Sequence, residues 1–149
     1  MDTDPGKKTP IEACHCMALR RAARRISQAY DEALAPAGLR ATQFSVLALV
    51  GAGEGLAVNA LAARLDLDRT TTGKNLAPLE RDGLITVTVA ASDRRSRNIV
   101  LTQDGRARLD QALPLWKAAQ RRLEEANGKR RTRELREQVA ALRTQIGEP

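Results

Sequence analysis

Between residues 19 and 34 apolar side chains recur every three or four positions: Leu19, Ala22, Ala23, Ile26, Tyr30, Ala33 and Leu34. That is one stripe of a helix with 3.6 residues per turn, and Arg20, Arg21, Arg24, Arg25, Gln28, Asp31 and Glu32 fall mostly off it. Upstream, Thr9-Pro10-Ile11-Glu12 has the form of a helix start. Thr9 serves as N-cap, Pro10 sits where a missing N–H costs nothing, and Glu12 closes a capping box. A long first helix opening at Thr9 is predicted, ended by Pro36 and Gly38. Phe44, Leu47 and Val50 predict a second helix over about residues 42–50. Leu61 and Leu65 predict a third over about 58–65, with the glycine-rich Gly51–Gly55 between them as a loop. Asp66-Leu67-Asp68 reads as a tight turn, Asp68 as the N-cap of a fourth helix reaching about Asp82, and Gly83 as its stop.

The period then changes. Ile85, Val87 and Val89 alternate with Thr86 and Thr88, which marks a half-buried strand. Ala91–Ser96 reads as a polar, arginine-bearing tip and Arg97–Leu101 as a returning strand, so the pair forms a β-hairpin. Thr102 caps a fifth helix with Leu109, Leu113, Trp116, Gln120 and Leu123 on one side, and Pro114 within it predicts a kink. Asn127-Gly128 ends it. A sixth helix from about Thr132 carries Leu135, Val139, Leu142 and Ile146. A helix-turn-helix followed at once by a hairpin is a winged helix-turn-helix. The fold class is therefore mostly α with a small β-hairpin. A winged domain (40–101, recognition helix about 69–82, wing about 84–101) lies between N- and C-terminal helices (9–35 and 103–146) that form a dimerisation region.

Composition narrows the function. The chain has 149 residues, 25 Lys+Arg against 18 Asp+Glu, and a net charge of +7. That length suits one domain, and the charge favours a polyanionic partner. No apolar run is long enough for a bilayer span and the start has no secretory pattern, so a cytoplasmic protein is expected. The single histidine, His15, has no evident triad partners. HExxH and a phosphate-cradling GxxxxGK[ST] are missing, so no enzyme and no cofactor is expected.

On a helical wheel, Thr72, Leu76, Leu79 and Gly83 share the packed face of the fourth helix. Thr70, Lys74, Ala77 and Arg81 share the opposite one, flanked by Thr71, Gly73 and Pro78. A small-sided, basic face of this kind suits the major groove. The tip adds Arg94, Arg95 and Arg97, where an arginine can reach into a narrow minor groove. Asp93 is expected to act in the turn, or to hold Arg95 by an ion pair. The DNA-contacting set is thus Arg69, Thr70, Thr71, Lys74, Asn75, Arg81, Arg94, Arg95 and Arg97.

Leu67-Asp-Arg-Thr-Thr71, Asn75-Leu-Ala-Pro-Leu-Glu-Arg-Asp-Gly-Leu-Ile85, Asp93-Arg-Arg-Ser-Arg97 and Leu101-Thr-x-x-Gly105 resemble the MarR family of bacterial transcriptional regulators. The likeness extends over Gly38-Leu39, Gln43-Phe44 and the helical flanks, nearly the whole chain. Gly73 departs from it, since family members often carry a larger apolar residue there. The resemblance implies a homodimer on a pseudo-palindromic operator of double-stranded DNA, usually a repressor released by a small ligand or an oxidant. It also places an effector pocket where the first, second and fifth helices meet. Tyr30, Phe44 and Trp116, the only aromatic residues, all come from those helices and serve either as core or as a pocket for a small aromatic acid or phenol.

Cys14-His15-Cys16 leaves three readings open. Thiolates and imidazole suit a metal, although side chains at i and i+2 on a helix diverge. Relative to Gln43-Phe44, Cys16 stands where the family's organic-peroxide sensors have their reactive cysteine, and Tyr30 matches one of the tyrosines that hydrogen-bond it. Ala41 replaces the second tyrosine, and no later cysteine is present to resolve an oxidised Cys16. Two inert thiols are the third reading. Spare apolar stripes on the first, fifth and sixth helices argue for a two-fold dimer independently of the resemblance. A competing function is a winged-helix interaction module binding an acidic protein.

Overall fold

The computed structural model describes residues 9–90 and 93–142, with side chains described except at 90 and 93–95. Six helices and three short strands follow one another: α1 His15–Leu34, α2 Ala41–Gly51, β1 Leu56–Ala57, α3 Val58–Leu65, α4 Arg69–Arg81, β2 Ile85–Ala90, β3 Asp93–Leu101, α5 Gln103–Asn127 and α6 Lys129–Ala140. The fold is mostly helical with a small antiparallel sheet.

The first helix opens later than its sequence predicts. The Thr9/Glu12 capping box forms, but it caps a four-residue 3-10 turn, Pro10–Ala13. Cys14 then adopts an extended conformation and α1 begins at His15. Reciprocal Thr9–Glu12 bonding satisfies one turn, and nothing in Pro10–Ala13 is buried to hold a longer helix in line. At the other end Leu34 is fully buried while Leu19 and Ile26 stay exposed. Only the C-terminal part of α1 therefore packs within the chain.

The core gathers Leu34, Leu39, Phe44, Val46, Leu47, Val50, Leu61, Leu76, Leu79, Leu84, Ile85, Ile99, Leu109 and Ala112. Helix α2 lies at its centre and buries Val46 as well as Phe44, Leu47 and Val50. On α5 the buried positions are Gly105, Leu109, Ala112 and Ala119, whereas Leu113 is 37% exposed. The larger leucine was expected inside, but small alanines let α5 approach its neighbours closely. The helix stays unbroken through Pro114, where the sequence predicts a kink. Helix α6 starts at Lys129 and buries none of its residues; Ile146 lies outside the described residues.

The hairpin proves to be part of a three-stranded sheet in the order β1-β3-β2. Leu56 and Ala57 pair with Ile99 and Asn98, a strand too short to leave a period in the sequence. In the β2–β3 pair, Val89 faces Arg97 but Ala90 faces Asp93. The register jump places residues 94–96 in the strand, not in a tip preceding it. Residues 91 and 92 of the expected tip, and any Asp93–Arg95 pairing, lie outside what is described.

Gly105 explains the Leu-Thr-x-x-Gly pattern. A Cβ there would come within 1.9 Å of the Leu84 carbonyl oxygen. Thr102 Oγ1 donates to the Gly83 carbonyl (2.6 Å) and accepts from Gly105 N–H (3.0 Å). The start of α5 is thereby pinned against the α4–β2 junction. Gly83 is exposed, not packed, and its φ of +72° supplies the left-handed residue that ends α4.

Candidate nucleic-acid interface

Helix α4 is fixed at its first turn by Asp68. The carboxylate accepts from Thr71 N–H through Oδ1 and from Thr71 Oγ1 through Oδ2, each at 2.8 Å. The bond from the Thr71 backbone, then that from its hydroxyl, holds the Asp68 carboxyl below the ordinary carboxylate range. Thr72, almost fully buried, turns its hydroxyl back to the Asp68 carbonyl at 2.7 Å. Leu76 and Leu79 enter the core. One face of α4 is thus committed to packing, and the other is held outward.

That outward face carries exposed Arg69, Thr70, Gly73, Lys74, Ala77 and Arg81. A Cβ added at Gly73 would meet nothing within 4 Å, so the helix backbone itself is open to a close approach. Thr71 is half-buried and occupied with the cap. Arg81 Nε lies 3.3 Å from Asp82 Oδ1, both exposed, which offsets part of its charge. Asn75 is half-buried on a cleft of about 240 Å³ between the start of α2 and α4, which Arg40, Thr42, Gln43 and Lys74 also line.

Arg97 is exposed on β3. With Arg69, Gly73 and Ala77 it borders a second cleft, of about 350 Å³, whose lining also includes Asn59 and Glu80. The fold therefore brings the first turn of α4 and the base of the wing to one surface. Arg94 and Arg95 have their backbones in β3, and their side chains lie outside the described set. Arg40, Thr42 and Asn59, which line these clefts, were not singled out by sequence reasoning, because none lies in a motif; for Arg40 only the +7 charge gave a hint.

Tyr30, Phe44 and Trp116 all line one cavity of about 250 Å³ bounded by α1, α2 and α5. Phe44 and Trp116 stack, with ring centroids 5.6 Å apart and planes 24° from parallel. The Tyr30 hydroxyl donates to Gln120 Oε1. Burial, then the Glu124 carboxylate, raises its pKa.

The cysteines lie elsewhere. Cys14 is the half-buried N-cap of α1 and Cys16 is exposed on its first turn. Among the described residues no group of three His, Cys, Asp or Glu is placed to hold a metal ion, so Cys14, His15 and Cys16 do not converge with further ligands in one chain. Tyr30 stands fourteen residues farther along α1, roughly 21 Å at 1.5 Å per residue, and bonds Gln120 instead. A Cys16–Tyr30 hydrogen bond is therefore excluded within one chain. Among the described residues no single helix is long and apolar enough to cross a membrane.

Residues 37–96 match the sequence model of the MarR family. The HTH-type transcriptional regulator SarZ of Staphylococcus saprophyticus is 31% identical over 100 residues, 67% of this chain and 68% of that protein. The fold is similar to that of the M. tuberculosis transcriptional regulator MosR solved in complex with DNA. The two are 40% identical with a TM-score of 0.74, over 87% of this chain and 99% of that one. It is also similar to the transcriptional repressor CouR. The form bound to a 23-mer DNA duplex is 32% identical with a TM-score of 0.77, over 90% and 97% of the two chains. The form bound to p-coumaroyl-CoA is 31% identical with a TM-score of 0.79, over 91% and 95%.

Proposed function

The chain belongs to the MarR family of transcriptional regulators, and from that premise we propose that it is a homodimeric repressor of a pseudo-palindromic operator. The carrying observation is the outward face of α4, where exposed Arg69, Thr70 and Lys74 flank an uncrowded Gly73. In this reading α4 enters the major groove by its N-terminal turns, and Arg94, Arg95 and Arg97 of the wing follow the adjacent backbone. Thr71 acts through the cap, and Arg81 contributes from the far end of the helix. The DNA complexes of MosR and CouR support this use of the fold. The family comprises transcriptional regulators and not enzymes.

Dimerisation is supported by what one chain leaves uncovered. Leu19, Ile26, Leu135, Val139 and Leu142 are between 39% and 54% exposed, all on or beside α1 and α6. Covering them with a second copy relates two α4 helices by a two-fold axis, with half-sites roughly 34–36 Å apart.

The aromatic cavity is the proposed effector site. Its volume of about 250 Å³ suits a single-ring phenol or aromatic acid, with the Phe44–Trp116 stack as its wall and Tyr30 as its polar group. CouR, solved with p-coumaroyl-CoA, supports the phenolic ring of such a ligand, although that molecule also carries a coenzyme A portion far larger than this cavity. Oxidation is the second proposed signal. Exposed Cys16 would attack a peroxide as thiolate and become a sulfenate, the other peroxide oxygen leaving as alcohol or water.

Binding to the gene's upstream region and to a scrambled duplex, across a salt series, tests the reading. The expected result is a steep fall with salt, with a slope near −0.9 per neutralised phosphate, and a preference on the order of 10³ for the upstream sequence. An acidic protein partner as the true target would leave no such preference. Repeating the series with peroxide, for the native chain and Cys16→Ser, and with phenolic acids, separates the two signals.

A further inference from the structure

The cleft between the start of α2 and the middle of α4 combines features that no other described cavity shares. Arg40 immediately precedes α2, and Lys74 projects from the exposed face of α4. Both line the cleft, together with Thr42, Gln43, Asn75 and Pro78. No carboxylate lines it, whereas Glu80 borders the cleft beside the wing and Glu134 the groove between α1 and α6. Among the described residues neither Arg40 nor Lys74 forms an ion pair. Gln43 is itself positioned, because its Oε1 accepts from Arg40 N–H at 2.9 Å; its amide nitrogen is left to donate. Two cations without an ion pair among the described residues, a threonine and two amide-bearing residues around about 240 Å³ supply the donors that a small tetrahedral anion needs.

We propose that this cleft holds one phosphate of the DNA backbone, with Arg40 and Thr42 as its anchors. The inference rests on the reading of α4 as the recognition helix. Lys74 belongs both to that helix's outward face and to the cleft, so a duplex seated on α4 carries its sugar–phosphate wall past Arg40. The site is the strand-gripping partner of the wing: the wing follows the backbone on one side of α4, and the start of α2 grips it on the other. Because phosphates are the same at every base pair, the contact sets register and affinity and carries no sequence preference.

The test is the salt dependence of binding by the full chain, measured on the upstream and scrambled duplexes in parallel. Arg40→Ala is expected to weaken both duplexes by the same factor, and to reduce the slope of log K against log salt by about 0.9. Arg40→Lys is expected to retain the slope, and Thr42→Val to lose affinity without changing it. Replacing single phosphates by neutral methylphosphonates is expected to reveal one position whose cost disappears in Arg40→Ala. An unchanged slope in Arg40→Ala, with the native chain binding normally, overturns the cleft and leaves the recognition helix standing. Failure of the native chain to bind any duplex at low salt removes both. Inorganic phosphate titrated into the DNA-free protein separates the two sources of the anion. Saturating shifts of the Thr42 and Gln43 amide resonances at low phosphate would make this a free-anion site and overturn the assignment to DNA.

Discussion

The Asp31 carboxylate accepts a hydrogen bond from the backbone N–H of Ala41 at 2.7 Å, tying α1 to the first residue of α2. Ala41 lines the aromatic cavity, while its neighbours Arg40 and Thr42 line the cleft against α4. One end of α2 is therefore shared by the proposed effector and DNA surfaces. A ligand that shifts α2 against α1 has a direct route to Arg40. Replacing Asp31 by Ala removes a charge-assisted bond and is expected to cost about 1.5–3 kcal/mol of stability. It is also expected to shrink the ratio of DNA affinities measured without and with a bound phenolic acid. Urea unfolding reads the first effect and fluorescence anisotropy the second; an unchanged ratio would separate Asp31 from the signal.

Gly105→Ala is expected to destabilise the fold by about 3 kcal/mol or more. Its Cβ would meet the Leu84 backbone oxygen at 1.9 Å, and a backbone cannot swing aside as a side chain can. The urea midpoint should fall accordingly, with the wing losing its footing before the rest of the core.

The Asp68 cap makes a pH-dependent contribution of known sign. Its folded pKa lies below the unfolded one, so the stabilisation is present above the ordinary carboxylate value and is lost as pH falls through the folded value. Asp68→Asn keeps a capping oxygen and removes the titration. Thermal midpoints of the two proteins compared down a pH series should converge in acid, and DNA affinity near neutrality should be largely retained by the Asn variant.

Leu135→Asp places a charge in the apolar patch of α6, where Leu135 is 52% and Val139 47% exposed in one chain. Sedimentation is expected to show a shift to monomer with little change in the helical circular dichroism. Operator affinity should fall by at least two orders of magnitude as the second half-site contact is lost. A variant that stays dimeric would move the interface away from α6.

Trp116 is the only tryptophan and stacks on Phe44 in the cavity wall, so its fluorescence reports occupancy. Titration with single-ring phenolic acids should quench it saturably. Tyr30→Phe should weaken that binding about fivefold, the equivalent of one hydrogen bond of about 1 kcal/mol. Quenching that does not saturate would return the three rings to a core role.

Local chemistry was readable without coordinates wherever a few neighbouring residues decide it. Asp68 and Thr102 cap α4 and α5 because each side chain reaches an N–H three residues on. Thr72, Leu76 and Leu79 face inward because they repeat at the helical period. The alternation from Ile85 to Val89 makes a strand for the corresponding reason. Thr9 and Glu12 mark the limit of such reasoning: their box forms, yet only the burial of a helix face could have continued it into α1.

By itself, then, the sequence determined the order of the helices, the side-chain caps of α4 and α5, the outward basic face of α4 and the family pattern, since each depends on residues within a turn or two of one another. Tertiary structure alone decided that Leu56 pairs with Ile99, that Arg69 and Arg97 border one cleft, that Arg40 joins Lys74, and that Ala112, not Leu113, enters the core. Those outcomes depend on how whole helices and strands dock, on the space between them and the angle at which they meet. No local period encodes that, because the contacting residues are brought together by packing and not by spacing along the chain.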